Sequence, residues 1–367
     1  IFKVKKKKIV IFMPSIEGGG VEKNLFLISN FLIKKINNIS IIKISNKFKN
    51  KFDKKIKLIF FSNNFFNYFG RRKKFFLCLF LLFLEILKDK NILVFSFQGN
   101  IYCTLLCKIL GVKVIVRSNT SPEGWSQNIF KHFFFKTILS SANKIIVNSI
   151  DFKKQFKKRY NIKATCIYNP LNKKEILNKS KEKTQSYFGK NCLKIINVGR
   201  LIDQKDQMTL IKAINLIKEK IKINALIVGN GKEKNNLLSF IKKKKLNKII
   251  KIISYKKNPY PLIKHSDIFI LSSIYEGLPN VLLEAICLKK FIISSNCPTG
   301  PREILDNGKG GLLFKSKNHR ELAKKIIYFH KNKKKCFIMN KNSQLGLERF
   351  NFKKNLNKYY EIIRTEI

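Results

Sequence analysis

Acidic residues are what this 367-residue chain most lacks: 22 Asp and Glu stand against 76 Lys and Arg, a formal net charge of +54. Such an excess ordinarily points to nucleic acid, an anionic membrane or an acidic substrate. The basic residues are mostly Lys, however, and Ile, Asn and Phe saturate the rest of the chain. An AT-rich genome favours those four residue types, so compositional drift on solvated surfaces accounts for much of the charge. The field it creates still attracts phosphates and anionic lipid. No aromatic-basic patch and no recognised nucleic-acid module is present, which leaves charge alone to support a nucleic-acid-binding protein.

Long apolar runs are also missing. The most apolar stretch, Phe75–Leu87, is interrupted by Glu85 and falls short of the ~20 residues that span a bilayer. It predicts a buried or membrane-touching helix rather than a transmembrane anchor. The opening, Lys3–Lys8 followed by Ile9-Val10-Ile11-Phe12, lacks the length and the cleavage site of a signal peptide and predicts a first β-strand. Eight cysteines form no metal or disulfide framework; Cys103 and Cys107 fall in the apolar helical stretch Tyr102–Leu110, where small buried thiols are ordinary. A reducing cytoplasm fits that usage. His132, His265, His319 and His330 lie in predicted helices or polar segments without triad partners, and none is assigned to catalysis. Neither a G-x-G-x-x-G fingerprint nor a Walker lysine pattern occurs.

What is present is a folded chain, 45% hydrophobic and 12% aromatic, long enough for two domains. Short β-rich runs alternate with helical patterns throughout. Strands are predicted at Ile9–Met13, Ile39–Ile44, Ile92–Ser96, Val112–Val116, Lys144–Val147 and Thr165–Ile167, and a second series starts at Lys194–Val198. Such alternation predicts an α/β fold with two Rossmann-like, doubly wound domains facing across a cleft. The first covers 1–170, with the C-terminal helix 351–367 packing back on it; the second covers 171–350. Polar, Lys-rich Leu171–Lys190, after Asn169-Pro170, is expected to be the linker.

The loop Ser272–Pro279 follows a buried strand and leads into a helix. Leu278, Pro279 and Asn280 stand at the helix start, where unpaired N–H groups can seat a diphosphate. Glu276 precedes that terminus and Glu284 lies about one turn inside, where a carboxylate can accept both hydroxyls of a ribose. Taken singly, Glu284 is as readily a plain helix residue and Glu276 a turn cap. The block Glu276-Gly277-Leu278-Pro279-Asn280-Val281-Leu282-Leu283-Glu284 taken whole points to a ligand.

That block resembles the signature of the retaining E-x7-E glycosyltransferases with the two-domain B fold (GT-B, family four, group 1). The resemblance implies that Glu276 lies against the transferred sugar and Glu284 binds the nucleotide ribose. It implies donor contacts along Gly277, Leu278, Pro279, Asn280 and Val281. Asn197-Val198-Gly199-Arg200-Leu201 with Gln204-Lys205 resembles the family's diphosphate clamp, which maps to Arg200 and Lys205. Two cations there would stabilise the charge that develops on the leaving diphosphate. Asp206 departs from relatives that carry Gly or Asn. Gly18-Gly19-Gly20, after the first strand, matches the family's opposite wall, where glycines let backbone approach a ligand; alone, the triplet is also compatible with a tight turn.

Where many relatives have a His near the sugar, this chain has Val116-Arg117-Ser118-Asn119-Thr120-Ser121-Pro122. The variant resembles members acting on N-acetylhexosamines in surface-polysaccharide and lipid-linked oligosaccharide assembly. Arg117 and Asn119 are candidates for donor or acceptor contact, or for anchoring the loop. Cys297-Pro298-Thr299-Gly300-Pro301-Arg302-Glu303 resembles the same subgroup and either borders the donor site or turns the chain. The expected substrates are a nucleotide sugar, UDP-linked, and a glycan or polyprenyl-linked lipid acceptor at an anionic membrane surface, with no cofactor and no specific nucleic acid. The D-x-D triplet of the other major glycosyltransferase fold is absent, so no metal is expected. A nucleotide-sugar epimerase of the same architecture is the alternative enzyme.

Overall fold

The computed structural model describes residues 7–16, 19–61, 69–119 and 128–367, the side chain of Arg71 apart. The chain divides into two units, Ile1–Pro170 with Lys353–Ile367, and Leu171–Phe352.

The first unit holds a seven-stranded sheet in the order β3-β2-β1-β4-β5-β6-β7. Its strands are β1 (Lys8–Phe12), β2 (Ile39–Ile42), β3 (Lys57–Ile59), β4 (Ile92–Ser96), β5 (Lys113–Ser118), β6 (Lys144–Val147) and β7 (Thr165–Cys166). Every pairing is parallel. Ile9, Val10, Ile11 and Phe12 are completely enclosed, as a parallel strand covered on both faces requires. The connecting helices are α1 (Gly20–Leu32), α2 (Arg71–Lys88), α3 (Asn100–Ile109), α4 (Ile129–Ser140) and α5 (Ile150–Tyr160). Chain direction across the sheet reverses after β3, so right-handed crossovers put α2 through α5 on one face and α1 on the other.

Local chemistry sets several of these ends. Ser149 accepts a hydrogen bond from the Phe152 N–H, Asp151 sits in the first turn, and Lys157, Lys158 and Arg159 sit in the last. Each complements the helix dipole. Glu85, which interrupts the apolar run of α2, is buried and takes hydrogen bonds from Lys8 and Lys88. Strand β3 and helix α4 were not expected from sequence.

The second unit holds a six-stranded sheet in the order β10-β9-β8-β11-β12-β13. These strands are β8 (Leu193–Val198), β9 (Ile223–Val228), β10 (Ile250–Ile253), β11 (Ile268–Leu271), β12 (Phe291–Ser295) and β13 (Leu312–Phe314), all parallel. Its helices are α6 (Lys173–Lys179), α7 (Gln207–Ile217), α8 (Lys234–Lys243), α9 (Tyr260–Lys264), α10 (Asn280–Cys287), α11 (Pro301–Ile304), α12 (His319–Lys331) and α13 (Lys333–Gly346). The chain returns to the first unit through α14 (Phe352–Arg364). The stretch 171–190, expected to be a linker, instead opens the second unit. Asn172 caps α6 through the Glu175 N–H, and Ile176 is buried. Two apolar anchors, Leu171 and Ile176, and a cap outweigh the polar composition there.

Candidate functional site

In the second sheet the chain order reverses between β8 and β11, which lie side by side. Such a switch point opens a crevice beyond the carboxyl ends of the two strands. The loops that leave those ends are 199–206 and 272–279, and they carry the motif residues.

Backbone and side-chain hydrogen bonds join the two loops. The Ile274 N–H donates to the Gln204 carbonyl at 2.8 Å, and Gln204 Nε2 donates to the Tyr275 carbonyl at 2.8 Å. Ser272 Oγ donates to the Lys205 carbonyl at 2.9 Å. Asp206, in a left-handed conformation with φ of 44°, ends the first loop and caps α7 through the Thr209 N–H. Burial raises its carboxyl, against the pull of the Thr209 hydrogen bonds.

This stitching brings Lys205 onto Glu276. Lys205 Nζ stands 2.6 Å from Glu276 Oε1, and Ser273 Oγ donates to the same oxygen at 2.6 Å. Glu276 is only 7% exposed, while the Lys205 side chain keeps 18% of its surface. An ammonium has three hydrogens, so contact with one carboxylate oxygen still allows Lys205 a phosphate oxygen. Arg200 is exposed on the loop just after β8, and its carbonyl accepts from Gln207 Nε2 at 3.0 Å.

A third loop, from the end of β12, closes on the same place. The Glu276 N–H donates to the Pro298 carbonyl at 2.8 Å, and the Thr299 N–H returns a bond to the Glu276 carbonyl at 3.1 Å. Thr299 Oγ1 donates to the Gly277 carbonyl at 3.2 Å. Gly300 has φ of +92°, and a Cβ there would stand 2.1 Å from the Gly277 oxygen, so only glycine permits this approach. Gly229 plays the same part on the other side, where a Cβ would meet the Gly199 oxygen at 1.9 Å. The segment 297–303 therefore borders the Glu276 loop. Burial, helped by the nearby Glu276 charge, pushes the Cys297 thiol up to about 12.

Pro279 precedes α10, and no side chain caps that helix. Its first-turn N–H groups suit an anion. Gly277, Leu278 and Pro279 are buried at this entrance, Asn280 and Val281 are half-buried, and Glu284 is buried one turn in. Ser273 and Thr299 were not singled out from sequence as partners of Glu276. Their place in the loops that follow strands β11 and β12 was the local signal.

In the first unit, Gly18 lies outside the described residues, as do Thr120, Ser121 and Pro122. Gly19 is the N-cap residue of α1 and Gly20 its first residue, with no side-chain cap. Of the two readings open for Arg117, its surroundings fit the anchor. As a candidate sugar or acceptor contact it should reach a surface, yet it is completely buried. Its Nε donates to Tyr359 Oη at 2.9 Å, Nη2 donates to Asn169 Oδ1 at 2.8 Å, and Nη1 donates to Asn119 Oδ1. The guanidinium also lies 5.4 Å from the Phe97 ring centroid. These partners are neutral, and they tie β5 to α14. Asn119 is engaged at both ends, since its Nδ2 donates to the Phe97 carbonyl at 2.8 Å.

Residues 178–345 match the family described as glycosyl transferases group 1. An uncharacterized glycosyltransferase of Methanocaldococcus jannaschii is 33% identical over 197 residues, 51% of this chain and 48% of that protein. The N-acetylgalactosamine-N,N'-diacetylbacillosaminyl-diphospho-undecaprenol 4-alpha-N-acetylgalactosaminyltransferase of Campylobacter jejuni is 26% identical over 234 residues, 60% of this chain and 62% of that protein. The chain thus spans about half to three fifths of the length of these two relatives. The crystal structure of Anabaena HepE in complex with UDP and glucose superposes with a TM-score of 0.78 at 18% identity, over 98% of this chain and 100% of that one. Residues 178–345 thus resemble the group 1 glycosyl transferases, and the chain has the two-sheet α/β fold of the GT-B-like glycosyltransferase structures it superposes on.

Proposed function

We propose that the chain is a retaining, metal-independent glycosyltransferase that moves a sugar from a nucleoside-diphosphate donor to a glycan or lipid-linked acceptor in cell-surface polysaccharide or glycolipid assembly. The observation that carries this reading is the meeting of Lys205 and Glu276 at the switch point between β8 and β11, beside the uncapped start of α10. In this reading the diphosphate lies against the α10 terminus, with Arg200 and Lys205 on its oxygens. Glu284 accepts the ribose hydroxyls and Glu276 a sugar hydroxyl.

Retention calls for no strong protein base. The departing phosphate oxygen takes the acceptor proton on the same face as the new bond forms. The protein's work is then electrostatic, with two cations and a helix terminus meeting charge that grows on the leaving group. Arg200 and Lys205 take the place that a D-x-D-bound metal holds elsewhere.

A UDP-linked N-acetylhexosamine or hexose is the proposed donor. The UDP and glucose held by the Anabaena structure and the N-acetylgalactosaminyl transfer named for the Campylobacter relative support that choice. The relative's diphospho-undecaprenol substrate supports a lipid-linked acceptor. We place the enzyme in the cytoplasm, at the inner face of the plasma membrane. The test is a thermal-shift screen, because a ligand that binds only the folded state raises its melting temperature. UDP and UDP-N-acetylhexosamines should raise it; no response to any nucleoside diphosphate would sink the reading. Anomeric NMR of the product then checks retention, and activity in EDTA checks metal independence.

A further inference from the structure

Helices α2, α3, α4 and α5 form one layer on the first sheet. Helices in such a layer bury an apolar stripe and turn a polar one to water. Helix α4 departs from that rule. Ile138 and Leu139 face inward and are buried, yet Ile129 (76%), Phe130 (81%), Phe133 (70%) and Phe134 are exposed. At 3.6 residues per turn these four occupy an arc of roughly 140°, with exposed Lys136 and Lys131 flanking it.

Neighbouring helices continue the same surface. On α2, Phe76 (68%), Phe80 and Leu87 are exposed in one stripe, and exposed Arg72 and Lys73 stand at its start. On α3, Tyr102 and Ile109 are exposed. Beyond α4 lies α5, joined to it where the His132 ring stacks on Tyr160 with centroids 4.7 Å apart. Its exposed residues are Lys153, Lys154, Lys157 and Lys158, with Ile150 exposed at its start. The layer thus presents an apolar field edged by lysine.

We propose that this face is where the protein lies on an anionic lipid bilayer, with the α4 phenylalanines at the acyl boundary and the lysines among the headgroups. A lipid surface supplies apolar medium and negative charge together, which matches both parts of the face. A second copy of the chain matches only one. Each copy carries +54, and facing rows of α5 lysines would repel. The contact is interfacial: among the described residues no helix is long and apolar enough to cross a membrane. It specifies the membrane location proposed above but uses only the surface of the first unit, so it and the donor reading can fail separately.

Vesicle co-sedimentation of the full chain tests it, with phosphatidylcholine alone and phosphatidylcholine mixed with phosphatidylglycerol. The chain should bind the mixed vesicles and not the neutral ones, more weakly at high salt. Phe130→Ser with Phe133→Ser, and separately Lys153→Gln with Lys154→Gln and Lys157→Gln, should each lower the bound fraction about tenfold. Circular dichroism reports whether each variant is folded, and exposed substitutions should leave it unchanged. Failure of the wild type to bind mixed vesicles, equal binding to neutral ones, or full binding by both folded variants would overturn the proposal. So would a wild-type dimer in sedimentation equilibrium that the phenylalanine variant dissolves while vesicle binding persists. UDP thermal shift on the same samples reads the donor site independently.

Discussion

Lys205 Nζ and Glu276 Oε1 stand 2.6 Å apart, and Ser273 Oγ shares that carboxylate oxygen. The pair links two loops that leave adjacent strands at the sheet's switch point. It holds Glu276 in a buried, defined position while the lysine keeps access to solvent.

Replacing Lys205 therefore acts on turnover. Lys205→Met should lower kcat by about 10²–10³, the usual scale for one preorganised charge at a leaving group. Lys205→Arg keeps the charge and should retain part of the rate. Steady-state kinetics with a responsive UDP-sugar decide it; wild-type kcat in the methionine variant would take Lys205 out of the clamp.

Glu284→Gln should weaken UDP binding by roughly 1.5–3 kcal/mol, about ten- to a hundredfold, because hydrogen bonds to a charged acceptor are lost. Isothermal titration with UDP measures this directly. Arg200→Ala is the companion: Arg200 is exposed, so turnover should fall while the melting temperature stays within a degree or so of wild type, as surface substitutions usually allow. Undiminished UDP affinity in the first variant would end the ribose assignment.

Arg117 is expected to act on stability. Arg117→Met strands Tyr359 Oη and Asn169 Oδ1 in the interior and should cost about 3 kcal/mol, read from urea unfolding. Arg117→Lys should not rescue it, since an ammonium cannot reproduce the fork. Normal stability with lost turnover would return Arg117 to the list of ligand contacts.

Glu85 makes stability depend on pH. Burial opposes its ionised form, but the hydrogen bonds and charges of Lys8 and Lys88 outweigh that and hold the carboxyl below the ordinary glutamate range. A depressed folded-state value contributes stability above the unfolded value, and the contribution is lost as pH falls through the folded one. Glu85→Gln should cost about 1–2 kcal/mol at neutral pH, less than a fully buried pair because Lys88 is solvent-screened. The gap between variant and wild type should close in acid. A constant gap would refute the ion-pair account.

The fold was legible wherever a strand was a dense apolar run. Ile92–Ser96 and Lys144–Val147 were predicted with the bounds they have, because strands buried between helix layers are dense in apolar residues. Strand β3 was not legible, since only Lys57, Leu58 and Ile59 form it, fewer residues than a two-residue alternation needs to show. Helix α4 escaped for the opposite reason: with apolar residues on both faces it shows no amphipathic period. Of the site, the loops and the helix start could be read locally. That Ser273 and Thr299 hold Glu276, and that Arg117 points inward, could not.

By itself, then, the sequence determined the alternation of strand and helix, the parallel sheets it implies, and the loops in which polar and glycine residues collect. Those properties follow from local periodicity and turn chemistry, which operate over a few residues. Only the tertiary structure decided which polar groups meet. Lys205 and Glu276 are 71 positions apart, and Arg117 and Tyr359 are 242. It also decided which side of α4 faces water, because an apolar residue has the same identity on either face and only its neighbours in space reveal whether it is core or surface.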